Sequence, residues 1–168
     1  AQHPRLELAL LPGSALTLVE RHLGDAGANS LVNAAAQLHV GRDARCRHLR
    51  EQNLAAGAQL LDTLQVAVDA NAEYDLTQLV LGTRSSRSSQ RVSLFGQGAT
   101  ARVNGVAVAQ GQRTLDQSLL VDHVAPGSRS SQVLRAILSS ISPNTSTKRD
   151  LKLSCSTRPP PRSFLAGF

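Results

Sequence analysis

Cysteine and histidine have the most reactive side chains in this chain, and two of them stand two positions apart. Cys46 and His48 share one face of a predicted strand, because successive side chains of a strand point to opposite faces. A thiolate and an imidazole could together hold iron or zinc, but such a site needs about four ligands. His22 and His39 could approach them only by stacking of neighbouring strands. We therefore predict no metal-binding residues and expect these side chains to face solvent or to form internal hydrogen bonds.

The acidic residues predict no catalytic site either. Asp122 and His123 are neighbours in an apolar strand, so their side chains point to opposite faces and do not form a dyad. Glu20, Glu51 and Glu73 are scattered singly along the chain. Glycoside chemistry would need two carboxylates at a set separation on one exposed face.

Two further motifs resemble ligand-binding segments. The glycine-rich segment 96–98 (GQG) is not followed by the Gly-Lys-Ser/Thr of a phosphate loop, and the next residues indicate a strand. The segment 84–91 (RSSRSSQR) has the composition of runs that bind RNA or accept phosphate. We interpret it as a polar turn that joins a strand at 79–81 to a strand at 92–94. No cofactor-binding residue is predicted.

The elements that must position these residues repeat about every 28 residues. Each copy is an apolar strand, a tight turn and a small residue. The copies are 8–15 (LALLPGSA), 38–44 (LHVGRDA), 66–72 (VAVDANA), 92–99 (VSLFGQGA) and a weaker 121–128 (VDHVAPGS). The small residues are Ala15, Ala44, Ala72, Ala99 and Ser128, at steps of 29, 28, 27 and 29. Such a fixed step is typical of stacked repeats.

The repeat predicts an all-β solenoid. A strand of this kind cannot bury its apolar face alone and needs copies stacked about 4.8 Å above and below it. The residues expected to supply positive φ at the bend are Gly13, Gly41, Gly96 and Gly98, and less readily Asn71 and Asp69. A 28-residue step accommodates two or three short strands, which predicts a β-helix of about five coils. The alternative is a β-sandwich with chance turns.

Composition agrees with a thin-cored β protein. Of the 168 residues, 41% are apolar but only 2% are aromatic, so Leu, Val and Ala must fill the interior. Two cysteines are too few for a disulfide framework. There is no opening signal peptide and no apolar run of about 18 residues. We therefore expect a cytoplasmic protein without a membrane partner.

The net charge of +6 is concentrated near the end of the chain. Residues 1–138 contain 13 arginines, no lysine and 11 acidic residues, which gives +2, and residues 139–168 supply the other +4. Residues 1–138 lack a basic stripe interleaved with aromatic residues, so nucleic acid is not an expected partner. Residues 139–168 are rich in Ser, Pro and Arg, and we predict a tail that is disordered or out of frame. The predicted division is a partial β-helix at 1–138, truncated at both ends, followed by this tail.

Residues 3–138, roughly, resemble the SufB/SufD family of iron–sulfur cluster assembly proteins, and within it the SufD branch. The matching segments are 16–22 (LTLVERH), 33–50, 96–99 (GQGA), 103–106 (VNGV), 111–112 (GQ), Asp116, 122–126 (DHVAP) and 131–132 (SQ). The order and spacing of these pieces make the match specific, although each is weak. Ser118 departs from the family, which commonly has a histidine shortly after the aspartate.

The resemblance implies a right-handed parallel β-helix that acts as a non-enzymatic scaffold. Its implied partners are SufB-like subunits and the SufC-like ATPase in the cytoplasm, although their docking regions are largely missing from this segment. The iron–sulfur cluster would be handled by the full complex, and no cofactor would be bound by this segment. The alternatives are a β-helix enzyme acting on polysaccharide and a repeat-built adhesin.

Overall fold

A computed structural model describes residues 1–24, 29–110, 113–139 and 150–158. The described residues form β-strands joined by turns, without a helix. The eleven described strands are β1 (Arg5–Leu10), β2 (Ala15–Leu23), β3 (Leu31–Val40), β4 (Arg45–Leu54), β5 (Gln59–Val68), β6 (Glu73–Gly82), β7 (Ser85–Leu94), β8 (Thr100–Gln110), β9 (Thr114–His123), β10 (Arg129–Ser139) and β11 (Asp150–Arg158).

The strands alternate between two parallel sheets. The odd-numbered strands form a six-stranded sheet in chain order, and the even-numbered strands form a five-stranded sheet. Each turn of the solenoid therefore contributes one strand to each sheet. This confirms the predicted parallel β-helix. About five coils were predicted. The five strands of the second sheet are separated by four full turns of the chain, so the described solenoid has about four turns.

The alternation of residues in each strand places one face inside the solenoid. In β3, Ala34, Ala36, Leu38 and Val40 are buried, whereas the residues between them are partly or fully exposed. The parallel register places similar residues of successive turns next to one another in columns, so that Val40 pairs with Leu10 on one side and with Val68 on the other. Each buried Leu or Val stabilises the fold by about 1.5–3 kcal/mol through its removal from water. These columns form the main apolar core next to the tight turns.

A left-handed residue forms the bend before each small residue. These residues are Gly13, Asp43, Asn71, Gly98 and Gly127, with φ between 55° and 75°. Of the residues expected there, Gly13, Gly98 and Asn71 are therefore confirmed, and the second turn uses Asp43. Asn and Asp accept this conformation better than other residues with a Cβ atom.

Gly41, Gly96 and Asp69 do not have positive φ, which corrects the prediction for them. The two glycines are required instead by the close stacking of successive turns. A Cβ atom at Gly41 would lie 2.6 Å from the carbonyl oxygen of Leu10, and one at Gly96 would overlap the backbone of Ala70.

The first copy of the repeat is shifted by one residue from its predicted position. Ala15 pairs with Arg45 in the second sheet, so Ser14 and not Ala15 is equivalent to Ala44. The backbone N–H of Arg45 donates to the carbonyl of Ser14, at 2.8 Å. Because Ser14 and Ala15 are both small, composition alone did not separate them.

The segment 84–91 is not the polar turn that its composition predicted. Residues from Ser85 onward belong to β7, which pairs along its whole length with β5 and β9. Ser86, Ser88 and Gln90 point inward and are buried. Other polar side chains inside the solenoid form hydrogen bonds with these three residues. The inward positions of β7 therefore do not require apolar side chains.

Most of the predicted tail, residues 140–149 and 159–168, lies outside the described residues. Between these stretches, the backbone of β11 pairs in parallel with β9, with Leu151 opposite Leu115 and Cys155 opposite Leu119. The boundary at residue 138 and the change of reading frame remain predictions.

Candidate functional site: a buried polar band

The interior of the solenoid contains a group of polar side chains, which we call the polar band. Its members are Glu20, His48, Arg50, Gln52, Asp62, Tyr74, Gln78, Ser86, Ser88, Gln90 and Gln117. All of them occupy inward positions of the strands. Along the strands, the main apolar core lies on the side of the tight turns, and two smaller apolar clusters lie on the other side. The polar band therefore interrupts an otherwise apolar interior.

Arg50 is the centre of the polar band. Its Nε and Nη2 donate to Glu20 Oε2 and Oε1 at 2.9 and 2.8 Å, and its Nη1 and Nη2 donate to Asp62 Oδ2 and Oδ1 at 3.0 and 2.9 Å. The side chains of Arg50 and Asp62 are only 7% and 5% exposed. Two bidentate pairs to one guanidinium combine geometric specificity with strong, charge-assisted hydrogen bonds. The pair with Asp62 also links the two sheets, because Arg50 belongs to β4 and Asp62 to β5.

Glu20 remains ionised although it is largely buried. Burial on its own would raise the pKa of this carboxyl, but hydrogen bonds from His22, His48 and Arg50 together hold it well below its ordinary value. For Arg50, burial on its own would lower the pKa, and the charges and hydrogen bonds of Asp62 and Glu20 more than offset this effect. The ion pairs are thus maintained by hydrogen bonds that replace the lost water.

His48 connects Glu20 to Tyr74. Its Nε2 lies 3.0 Å from Glu20 Oε2, and its Nδ1 lies 2.9 Å from the Tyr74 hydroxyl. A carboxylate only accepts, so Nε2 carries the proton, and in the neutral imidazole Nδ1 accepts from the hydroxyl of Tyr74. Burial raises the pKa of Tyr74 and keeps its hydroxyl protonated. All three groups are satisfied by this one arrangement.

Gly105 shows how neighbouring turns accommodate the polar band. It is the residue of β8 that pairs with Gln78 of β6. A Cβ atom at Gly105 would lie 2.8 Å from Cγ of Gln78 and 2.9 Å from Cδ2 of Leu134. The glycine of the VNGV segment therefore provides space for a side chain of the polar band.

Cys46 and His48 share one face, as predicted, and that face points inward. Cys46 is 2% exposed and lies in the main apolar core. Burial raises the pKa of its thiol to about 11, so it is a thiol and not a thiolate at neutral pH. The imidazole of His48 is already used by Glu20 and Tyr74. No group of three or more His, Cys, Asp or Glu residues suited to a metal ion occurs in the part of the chain that the structure describes.

Of the other histidines considered from the sequence, His22 joins His48 at the carboxylate of Glu20, whereas His39 and His123 lie elsewhere. His22 bonds Glu20 across 2.6 Å, whereas the exposed His39 bonds Asp69 across 2.9 Å on the outer face of the first sheet. His123 bonds the hydroxyls of two serines, Ser128 and Ser130, at 2.7 and 2.9 Å.

Asp122 and His123, which are neighbours in the sequence, bond to different partners. Asp122 pairs with Arg91 at 3.1 Å, so it does not orient the neighbouring His123. Ser118, where the resemblance is broken, is exposed on the outer face of β9.

Sequence reasoning did not identify the polar band. Its closest contacts join residues 12 to 34 positions apart, such as Arg50 with Glu20 and Gln52 with Ser86. One signal was available, because Glu20 and Arg50 are opposite charges at equivalent inward positions of successive repeats.

Comparison with known proteins gives consistent matches. The family model for the SUF system FeS cluster assembly, SufBD core domain, matches residues 1–146. The iron–sulfur cluster assembly protein SufD of Plasmodium berghei is 22% identical over 138 residues, which cover 82% of this chain and 10% of that protein. The chain thus spans about a tenth of the length of this curated relative. No solved structure gives a significant match. Within the described ranges, no helix is long and apolar enough to cross a membrane.

Proposed function

Because the chain belongs to the SufB/SufD family of iron–sulfur cluster assembly proteins, we propose that it is a non-catalytic scaffold element of the SufD type. It supports a SUF complex in the cytoplasm together with a SufB-like subunit and a SufC-like ATPase. The iron–sulfur cluster is the cargo of that complex, and this segment holds no cofactor of its own. The match to a SufD protein over 82% of the chain supports this assignment.

The observation that carries the proposal is that the thiol of Cys46, the imidazole of His48 and the carboxylate of Glu20 are occupied by structural contacts inside the solenoid. The thiol of Cys46 is buried among apolar side chains, and Glu20 accepts hydrogen bonds from three residues. A cluster ligand or a sulfur acceptor would need an accessible thiolate or a free imidazole. The interior of this segment is built to hold two sheets together.

Co-purification tests the proposal. An affinity-tagged natural protein that contains this segment is expressed with its SufB-like and SufC-like subunits, and the stoichiometry of the retained subunits is measured. We expect both subunits to be retained. Gly96→Val should release them, because its side chain overlaps the preceding turn at Ala70. Gln65→Ala, on the exposed face of β5, is the matched control and should retain them. Failure of the wild-type protein to retain either subunit would overturn the proposed scaffold role.

A further inference from the structure

Two buried amide atoms of the polar band have no hydrogen-bond partner within the protein. They are Oε1 of Gln90 and Nε2 of Gln117. The residues are only 4% and 6% exposed. A buried polar atom without a partner costs about 1–3 kcal/mol, and most such atoms in folded proteins are bonded to protein or to ordered water. One is an acceptor and the other a donor, so the two are complementary.

Both glutamines line the same small cavity inside the solenoid. The cavity leaves about 10 Å³ for the centre of a water-sized sphere, and its lining also includes Arg50, Asp62 and Ser88. About 10–15 Å³ on this measure holds one water molecule. The space is therefore large enough for one water and too small for a larger ligand.

The stacking of short and long side chains explains why the cavity lies here. Ser88 of β7 pairs with Asp62 on one side and with Gln117 on the other. The hydroxyl of Ser88 donates to Asp62 Oδ2 at 2.7 Å and so is turned toward that side. Because the serine side chain is shorter than that of Gln117, the column leaves a gap beside the amide of Gln117.

The orientation of the Gln90 amide is fixed by its other contacts. Its Nε2 donates to Gln78 Oε1 at 2.6 Å and to Ser88 Oγ at 3.2 Å. Both N–H bonds are thus used, and the remaining oxygen is an acceptor.

We propose that one water molecule is bound in this cavity, donating a hydrogen bond to Gln90 Oε1 and accepting one from Gln117 Nε2. The pairing of one acceptor with one donor selects a neutral ligand with both functions. A cation would face the N–H of Gln117, and an anion would face the carbonyl oxygen of Gln90. The nearby charges of Arg50 and Asp62 are already paired with each other, at 2.9 Å. The water completes the polar band and is part of the folded structure.

A high-resolution crystal structure of the full chain tests this site without any substitution. We expect one peak of electron density, and its distances to both amide atoms should be those of hydrogen bonds to a water molecule. A dry cavity, with the two amides rotated to bond each other, would overturn the proposal. A peak with the short contacts and anomalous signal of a metal ion would also overturn it, in favour of a cation site.

Magnetisation transfer from water in solution gives a second, independent test. The side-chain amide protons of Gln117 should show a cross-peak at the water frequency in the wild-type chain. Gln90→Leu removes the acceptor of the bridging water, and the cross-peak should be lost. Gln65→Leu, on the exposed outer face, is the control and should leave it unchanged. A wild-type chain without the cross-peak would contradict the proposal.

Discussion

The apolar core beside the tight turns and the polar band farther along the strands are made by the same repeat but hold the solenoid in different ways. In the core, each turn places an aliphatic residue next to a similar residue of the preceding turn, as in the column of Leu10, Val40, Val68 and Leu94. In the polar band, the equivalent residues of successive turns differ. Glu20, Arg50, Gln78 and Gly105 follow one another in one column of the second sheet.

This difference separates general cohesion from specific register. Aliphatic residues stabilise any register that keeps them inside, and volume-conserving exchanges among them are tolerated. Glu20 and Arg50 bond each other only when β2 and β4 are in their observed register. We infer that the core supplies most of the stability and that the polar band fixes how the turns are stacked.

The largest effect is expected from breaking the polar band at its centre. Arg50→Met leaves the buried carboxylates of Glu20 and Asp62 without their shared cation. Removal of one partner of a buried ion pair costs about 3–5 kcal/mol. Denaturant unfolding measures this loss. Arg47→Met, at an exposed position of the same strand, is the matched control and should change stability by no more than about 0.5 kcal/mol. Equal effects of the two substitutions would contradict the distinction between the regions.

The core should respond to lost volume and not to chemical identity. Leu38 is 1% exposed, and Leu38→Ala should destabilise the fold by about 2–5 kcal/mol through the cavity it leaves. Leu38→Met keeps the volume and should cost less than about 1.5 kcal/mol. Thermal unfolding of the two variants, compared with the wild type, checks this order. If Met were as costly as Ala, the core would be as specific as the polar band.

A smaller effect is expected when one hydrogen bond of the polar band is removed. Tyr74→Phe keeps the ring but leaves Nδ1 of the fully buried His48 without its donor. We expect a loss of about 1–3 kcal/mol in the free energy of unfolding. His48→Leu also removes the donor to Glu20 Oε2, so a combined Tyr74→Phe and His48→Leu variant should lose less than the sum of the two single losses. A double variant that loses the sum of both single effects would show that the bond is not a coupled pair.

The acid dependence of stability should come in part from Glu20. Its pKa in the folded protein is held below the ordinary value of 4.5. The stabilisation is therefore present above about pH 4.5 and is lost as the pH falls below it, because the unfolded chain takes up the proton first. Denaturant unfolding between pH 7 and pH 3 should show a flatter acid slope for Glu20→Gln than for the wild type. Glu7→Gln replaces an exposed carboxylate of β1 and should keep the wild-type slope.

The repeat made the fold predictable because apolar residues and turns report directly on backbone geometry. Ala44, Ala72 and Ala99 were placed correctly, since only a small residue fits after the left-handed bend in a stack of turns. Gly41 and Gly96 were identified as turn residues for the wrong reason. A glycine needed for positive φ and one needed for close approach of the preceding turn look the same in a sequence.

The interior polar residues could not be predicted in the same way. The serine-rich β7 reads as a turn by composition, because nothing local shows that Asp62, Gln52 and Gln78 lie across from it. The pairing of Cys46 with His48 on one face followed from strand geometry. Which way that face points depends on the whole coil, and the structure shows that it points into the core.

The central claim is that this segment supports cluster assembly without taking part in its chemistry. The most direct test is the rate of cluster formation in the reconstituted SUF complex, with the natural protein carrying Cys46→Ala. Alanine occupies the equivalent position of β8, at Ala101, so the fold should tolerate it. Our account predicts that the rate and the final cluster content stay within about twofold of the wild type. A twofold change in rate corresponds to less than about 0.5 kcal/mol of activation free energy. A loss of cluster formation with the complex still assembled would contradict it and would assign the thiol a chemical role.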